Sequence, residues 1–438
     1  MSVLDSAIAN VALPTIARHL SAAPAESIWV VNAYQLTIVA SLLPLAALGE
    51  IRGYRNVFQA GLVLFTVASA GCTMVHSLPW LIFARAVQGF GAAGIMSVNG
   101  ALVRYTYPAA ILGRGVGFNA LVVSVSAALG PTIAAGILAI GPWQWLFAIN
   151  LPLGVVTLLL GRASLPENPS TGKFDLPGTV LNMLTFALLF TGIDMITRGG
   201  NVPLGSGEIA AGVATGTLLV LRSRRQEEPL VPIDLLKIRL FTLSVATSVA
   251  SFTAQMLTFV SLPFFLEGVL HRTQVETGLL MTPWPVASGL SAAIAGRLSD
   301  RLPAAILSSA GLAALATGLL LLAFLPAHAT SFEVCWRMAL CGSGFGFFQS
   351  PNNRTLLSSA PLERSGAAAG MLATARIAGQ TTGATLAAVC FRLAHHVEPT
   401  ALTLAAIFAA LAACASLSRM TSKPAPSAID PRHIAAAP

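Results

Sequence analysis

A cation and an amide lie inside an otherwise apolar run of the sequence. The run LIFARAVQGFGAAGIM spans residues 81–96 and contains Arg85 and Gln88. A guanidinium stays charged in proteins, and placing it near the centre of a bilayer costs at least about 2.5 kcal/mol, so Arg85 requires an acid, carbonyl groups or water as partners. Small residues such as Gly89 and Gly91 follow directly and let a second helix approach closely. The run therefore predicts a central helix rather than a lipid-facing one.

Asp5 is the second residue whose type and position predict chemistry. It lies in the first apolar segment and is the one carboxylate that the sequence places inside the hydrocarbon of the first half. An acid in such a position marks an ion or proton path by default. Burial favours its neutral form and a nearby Arg85 favours its charged form, so a substrate cation or a conformational change can tip it between the two. The alternative is a solvated acid on a frayed chain terminus, with no role.

Composition identifies the class of protein. The chain has 438 residues, of which 55% are hydrophobic and only 10% charged, and its mean hydropathy is +0.76. Soluble domains average about 25% charged residues, so the chain is predicted to be a polytopic membrane protein. The net charge of +8 comes from basic residues in short loops, which favours a role in membrane orientation over nucleic-acid binding. Five scattered cysteines show neither a disulfide framework nor a zinc pattern.

An apolar run needs about 20 residues to cross the hydrocarbon, and fourteen segments approach that length. They cover about 1–20, 27–48, 56–75, 79–102, 115–138, 145–163, 177–196, 207–221, 241–265, 276–296, 303–325, 332–351, 366–390 and 401–417. When the loops are assigned alternately to two sides, one side receives only Arg18, Arg198, Arg272 and Arg392. The other side collects the remaining loop cations and is predicted to be cytoplasmic, together with the C-terminus.

An internal repeat appears at an offset of about 250 residues, since Leu13-Pro14 matches Leu262-Pro263 and Glu50 matches Asp300. The predicted fold is all-α, with two pseudo-symmetric six-helix bundles and a two-helix insertion. The predicted domains are a bundle at 1–165 with a truncated first helix, an inserted hairpin at 166–222, a cytoplasmic linker at 223–240, a second bundle at 241–417 and a disordered cytoplasmic tail at 418–438.

Three further groups of residues are candidates for function. Two cytoplasmic loops, AALGEIRGYRNVF at 46–58 and AGRLSDRLP at 295–303, predict latches between helices, formed by Glu50, Arg52, Gly53, Arg55, Asp300 and Arg301. The run SAALGPTIAAG at 126–136 places Gly130 and Pro131 inside a helix, which predicts a hinge or, alternatively, plain close packing. Arg376 and Gln380 lie on a polar helix face that is a candidate cavity lining.

These motifs together resemble the major facilitator superfamily, specifically its fourteen-helix drug/proton antiporter branch. The first-helix motif is LDSAIANVALP, Arg85 to Ala93 is similar to RxxQGxGaa, and Ser126 to Ala135 is similar to GxxxGPxxGG. WQWLFAINLPLG at 143–154 and FGFFQSPNNRTLLSSAP at 345–361 are further signatures. Ala46 to Arg55 is similar to the loop motif GxLaDrxGrk and departs from it at Ala46, Glu50 and Ile51. The sequence also departs from the family at Ala134 and Ala135, which stand in place of paired glycines, and in its short first helix.

The resemblance implies a major facilitator fold and proton-coupled efflux of amphipathic cationic compounds across a bacterial inner membrane. Asp5, Arg85 and Gln88 would couple the proton, and the partners would be a small-molecule substrate, protons, the lipid bilayer and a membrane-fusion adaptor protein. Because the sequence has no GxxxxGK[ST], HExxH or GxSxG motif, neither an enzyme activity nor a cofactor or metal is predicted. Two alternatives stay open: an exporter of an anionic metabolite or siderophore, and a non-transporting truncated remnant.

Overall fold

Long helices make up almost all of the regular structure. The computed structural model describes residues 1–22, 24–27, 29–166, 174–197, 201–226, 229–272, 274–326, 328–393 and 397–421, and these ranges contain no strand. Fourteen of their helices have at least 15 residues. They are α1 Ser2–His19, α2 Trp29–Arg52, α3 Tyr54–Met74, α4 Leu78–Thr106, α5 Leu112–Ile140, α6 Asn150–Ser164, α7 Leu176–Thr197, α8 Val202–Ser223, α9 Arg239–Gly268, α10 Pro283–Leu298, α11 Ala304–Ala323, α12 Ser331–Ser359, α13 Ser365–Leu393 and α14 Val397–Leu417.

The predicted all-α class is confirmed, and each predicted segment corresponds to one of these helices. Within the described ranges, eleven helices are long and apolar enough to cross a membrane. Short helices precede two of the long ones, Trp145–Ala148 before α6 and Gln274–Met281 before α10. The predicted tail at 418–438 begins with a short 3-10 turn, Ser418–Thr421, and its other residues lie outside the described ranges.

The chain forms two compact units. Unit 1 contains Met1–Pro108, Asn119–Ile233 and Gly366–Ile377, and unit 2 contains Ala109–Phe118, Asp234–Ser365 and Ala378–Pro438. The hairpin of α7 and α8 belongs to unit 1, where the buried Asn182 on α7 donates a hydrogen bond to the Ala40 carbonyl of α2 at 2.8 Å. This contact anchors the hairpin to the unit that contains Asp5 and Arg85.

Glycines bring α4 close to two neighbours in unit 1. A methyl group built on Gly89 would lie 2.5 Å from the Tyr34 carbonyl oxygen of α2, and one built on Gly91 would lie 2.5 Å from the Phe65 nitrogen of α3. Neither position can accept a side chain without moving a backbone, because real Cβ atoms do not approach so closely. The prediction of a central, closely packed helix is therefore confirmed for α4.

The same packing recurs in unit 2 on α12. A methyl group on Gly344 would lie 2.5 Å from the Gly311 carbonyl oxygen of α11, and one on Gly342 would collide with the Trp284 carbonyl of α10. These positions follow Gly91 and Gly89 by about 250 residues, which is the offset of the repeat in the sequence. Each unit therefore builds its central helix on the same pattern of small residues.

An acid closes one end of the α7–α8 hairpin. Asp175 accepts hydrogen bonds from Gln226 at 2.8 Å, from the Gly178 N–H at 3.0 Å and from Arg222 at 3.1 Å. Partial burial opposes its ionisation, but the bonds from Gln226, Gly178 and Arg222 hold the pKa of the Asp175 carboxyl below its ordinary value. Its charged form therefore joins the start of α7 to the end of α8.

Candidate functional site

The carboxylate of Asp5 lies deep in unit 1, on the first half of α1. Its residue is 1% exposed, and the guanidinium of Arg85 on α4, itself 0% exposed, donates from Nη1 to Asp5 Oδ2 at 2.6 Å. A buried ion pair of this kind is costly to desolvate and is held only when further hydrogen bonds satisfy both partners. Asp5 is therefore not a solvated terminal acid but half of a buried pair.

Two amides complete the shell around the carboxylate. Asp5 Oδ1 accepts from Gln88 Nε2 at 3.0 Å and from Asn150 Nδ2 at 2.6 Å, and both amide residues are fully buried. Gln88 also accepts from Arg85 Nη1 at 2.6 Å and donates to Ser69 Oγ at 2.8 Å. The carboxylate thus receives donors from α4 and from the first residue of α6, so its negative charge is stabilised on both oxygens.

Aromatic rings and a carbonyl hold Arg85 in place. Its guanidinium carbon lies 4.1 Å from the centre of the Tyr34 ring and 5.4 Å from that of Phe147, and its Nε donates to the Val30 carbonyl at 3.1 Å. Cation–π contacts in desolvated sites contribute about 2 kcal/mol each. Among the described residues Arg85 Nη2 is buried without a hydrogen-bond partner. The cation is therefore fixed on one side and retains one unused donor group.

The first loop contact binds an acid to the start of a helix. Glu50 Oε1 accepts from the Ala367 N–H at 2.7 Å, and the Tyr54 hydroxyl accepts from the Gly366 N–H at 2.9 Å. Both amides lie in the first turn of α13, where N–H groups lack helical partners and the helix dipole favours a negative charge. Glu50 is therefore held by backbone atoms of α13.

The remaining residues of this loop play different parts. Gly53 has a φ of 95° and joins α2 to α3, a conformation that glycine tolerates and side chains rarely adopt. Arg55 donates from Nη2 to the Arg162 carbonyl at 2.5 Å, whereas Arg52 is exposed. Within the loop, Glu50 is the acid that lies against α13.

The second loop contact repeats the first in unit 2. Asp300 Oδ1 accepts from the Gly113 N–H, in the first turn of α5, at 3.0 Å. Arg114 and Arg354 lie 3.6 and 3.5 Å from its carboxylate oxygens. Arg301, which the sequence places beside Asp300, is exposed. The acid again meets a helix N-terminus, and the cations that accompany it come from α5 and α12.

Replacing Glu50 by Gln should loosen the start of α13. A hydrogen bond to a charged acceptor contributes about 1 kcal/mol more than one to a neutral acceptor, so we expect the Ala367 amide to exchange hydrogen about fivefold faster. Hydrogen-exchange mass spectrometry of peptides across 362–371 measures this. Glu363→Gln, an exposed acid beside the same turn, is the matched control. Equal exchange in Glu50→Gln and the unaltered protein would refute the latch.

The predicted hinge residues lie on α5. At Gly130 a methyl group would collide with Ala7 of α1, so α5 and α1 pack closely there. The side chain of Pro131 lies outside the described residues. The predicted cavity residues Arg376 and Gln380 lie one turn apart on α13, and both are partly buried.

A groove of about 340 Å³ opens between α2, α3 and α4 in unit 1. Leu45, Leu48, Arg52, Asn56, Val57, Ala60, Gly61, Leu64, Phe90 and Gly94 line it. None of the residues around the Asp5 carboxylate is among them. The groove and the buried acid are therefore separate features of the unit.

The sequence predicts no role for two residues of the site, Asn150 and Ser69. Asn150 lies within the signature at 143–154, and Ser69 lies in the third apolar segment. The available signal was a single amide in an otherwise apolar run, LFAINLPLG, at 146–154. Membrane-embedded polar side chains tend to face other polar groups, so such an amide can be weighed together with Asp5.

Comparisons with known proteins agree with this fold. The chain is 51% identical over 425 residues to the "Uncharacterized transporter YebQ" of Escherichia coli (strain K12), covering 96% of this chain and 93% of that protein. It is 32% identical to the "Riboflavin transporter RibZ" of Clostridioides difficile (strain 630), with coverages of 86% and 82%. It is 31% identical to the "Multidrug resistance protein Stp" of Mycobacterium tuberculosis (strain ATCC 25618 / H37Rv), with coverages of 87% and 72%.

Structural similarity extends over nearly the whole chain. A crystal structure of a double Trp mutant of XylE has a TM-score of 0.71 at 14% sequence identity, covering 97% of this chain and 95% of that one, which shows a shared fold. The model of the Major Facilitator Superfamily matches residues 1–384. With fourteen long helices in the ranges that the structure describes and with this match, the chain belongs to the Major Facilitator Superfamily and is a multi-pass membrane transporter.

Proposed function

We propose that the chain is a proton-coupled efflux transporter of the fourteen-helix drug/proton antiporter branch, exporting amphipathic cations. The observation that carries this proposal is the buried Asp5–Arg85 pair, because an acid that is 1% exposed inside a membrane transporter marks an ion or proton path. A relative named as a multidrug resistance protein supports the substrate class.

Proton binding to Asp5 removes the negative charge that faces Arg85. The pair then loses its Coulomb attraction, and the short Arg85–Asp5 bond at 2.6 Å changes from a bond between two charged groups to a weaker bond in which only the guanidinium is charged. A cationic substrate acts in the opposite sense, because it stabilises a negative charge and favours proton release. Proton and substrate thereby compete for the same acid, which is the requirement for antiport.

The two loop contacts supply the gating part of the proposal. Glu50 holds the start of α13, and Asp300 holds the start of α5. Each contact is a charge-assisted hydrogen bond at a helix end. We assign them the role of latches on the cytoplasmic side, closed while the transporter faces outward.

The proposed membrane location and partners of the protein are supported by the distribution of loop charges and by its bacterial relatives. The excess of loop Lys and Arg on one side supports a cytoplasmic C-terminus, and the bacterial relatives support an inner membrane. A membrane-fusion adaptor that carries the substrate onward remains part of this proposal.

The test is transport by the purified protein in proteoliposomes. A fluorescent amphipathic cation is added with an imposed pH gradient, and its accumulation is followed with and without a protonophore. Exchange of one proton per cation drives up to about tenfold accumulation for each unit of the gradient. Accumulation that is insensitive to both the gradient and the protonophore would overturn the proposal.

Export of an anionic metabolite is the second candidate function. The partly buried Arg376 on α13 favours it, since it supplies a cation within a long helix of a membrane transporter. A relative named as a riboflavin transporter shows that similar sequences serve substrates other than drugs. In the same proteoliposomes, competition by anions instead of cations would establish this function.

A further inference from the structure

Of the two amides that donate to Asp5, only Asn150 has a polar atom without a hydrogen-bond partner among the described residues. Its Nδ2 donates to Asp5 Oδ1 at 2.6 Å, while its Oδ1 is buried without a hydrogen-bond partner among the described residues. The residue is 0% exposed and lies at the first position of α6. A buried, unpaired amide oxygen is rare enough in proteins to require an explanation.

The amide of Gln88, in the same site, has its orientation fixed by its hydrogen-bond partners. Ser69 donates its hydroxyl hydrogen to the Phe65 carbonyl at 2.7 Å, so its oxygen can only accept from Gln88 Nε2. Gln88 Oε1 accepts from the Arg85 guanidinium, which has donors only. Reversing this amide would place two donors together at Arg85 and two oxygens together at Ser69, with no hydrogen between those oxygens. Gln88 is therefore locked in one orientation.

Asn150 has no such constraint. Rotation of its amide about the terminal torsion is a soft, roughly two-fold motion, and its oxygen gives up no hydrogen bond when it turns. After half a turn the oxygen would occupy the place now held by Nδ2, within hydrogen-bond reach of Asp5 Oδ1. In that orientation the side chain is an acceptor that suits a protonated carboxyl group.

We propose that Asn150 is a positioning residue that serves both protonation states of Asp5, donating to the carboxylate and, after its amide rotates, accepting from the carboxylic acid. The incoming proton forms an O–H bond at Asp5 Oδ1, and that O–H donates to Asn150 Oδ1. Asp5 Oδ2 continues to accept from Arg85, and Asn150 stays neutral throughout. The inference rests on the proposed function, because it assigns a role in proton binding at the same acid.

Other groups around Asp5 bear on its proton equilibrium. The Met1 amino group, Tyr34 on α2, Cys72 on α3 and Arg85 on α4 all interact electrostatically with Asp5. Among the described contacts, α6 and the turn before it contribute the amide of Asn150 and the ring of Phe147 but no charge. Changing Asn150 therefore alters the hydrogen bonding of the acid while leaving these charged and titratable groups in place.

Infrared difference spectroscopy of the purified protein provides the test. The carboxyl C=O band of protonated Asp5, assigned by its loss in Asp5→Asn, is titrated against pH. Asn150→Leu removes both the donor and the acceptor, and because the bond to the anion is the stronger of the two, we expect the midpoint to move up by about one pH unit. Asn182→Leu, which removes a buried amide elsewhere in unit 1, should leave the midpoint unchanged.

A second variant keeps the size of the side chain. Asn150→Asp places a second acid beside Asp5, and the two should titrate as a coupled pair with the upper midpoint above that of the unaltered protein. A midpoint in both variants that coincides with the unaltered protein would overturn the inference. The titration needs no transport, so a failure of gradient-driven transport in the unaltered protein would defeat the proposed function without affecting this result.

Discussion

Asp5→Asn should abolish the response of transport to a pH gradient while keeping a side chain of nearly the same shape in the site. Asparagine has almost the same shape as aspartate but cannot take up a proton, so the exchange cycle loses its proton-binding step. We expect accumulation in proteoliposomes to fall from up to about tenfold per pH unit to no accumulation. Counterflow of substrate, which needs no net proton movement, should persist.

Two controls separate this result from misfolding. Asp5→Glu keeps the titrating group and should retain a gradient response, and Asp175→Asn changes an acid of the hairpin outside the site and should transport normally. Gradient-driven accumulation in Asp5→Asn equal to that of the unaltered protein would exclude Asp5 as the coupling residue.

Arg85→Met should produce the largest loss of stability of any single change in the site. It leaves the Asp5 carboxylate buried without its cation, and breaking a buried pair in this way costs about 3–5 kcal/mol. The double variant Asp5→Asn with Arg85→Met removes both charges, and we expect it to recover much of that loss. Thermal unfolding in detergent, read as a double-mutant cycle, measures the coupling.

The exposed Arg301→Met is the matched control, because it removes an arginine that solvent surrounds. Its free energy of unfolding should change by less than about 0.5 kcal/mol. If the double variant were as unstable as the sum of the two single variants, Asp5 and Arg85 would not be coupled and the ion pair could not organise the site.

The sequence was sufficient to predict the helices and the central acid and cation. Apolar runs of membrane length identify spans directly, and a guanidinium in such a run requires a partner, which Asp5 supplies. The close packing of α4 followed from Gly89 and Gly91, since small residues are the means by which membrane helices approach one another. Each of these features can be predicted from the residue types within one apolar segment.

Other parts of the site are contacts between residues that lie far apart in the chain. Asn150 contacts an acid 145 residues before it, and one amide in an apolar run does not indicate which helix it faces. The helix-end amides that Glu50 and Asp300 contact were not predictable, because they are backbone N–H groups, which every residue except proline possesses. Only the arrangement of helix ends in space makes those particular amides available.

The backbone character of these partners has a consequence for suppressor genetics. A broken ion pair between two side chains can be repaired by reversing both charges, whereas Glu50 accepts from the backbone amide of Ala367, which no codon change can invert. Compensating mutations for a loss of Glu50 should therefore map to residues that shift the balance between conformations elsewhere in the protein, and reciprocal charge swaps at residues 366 and 367 should not be recovered.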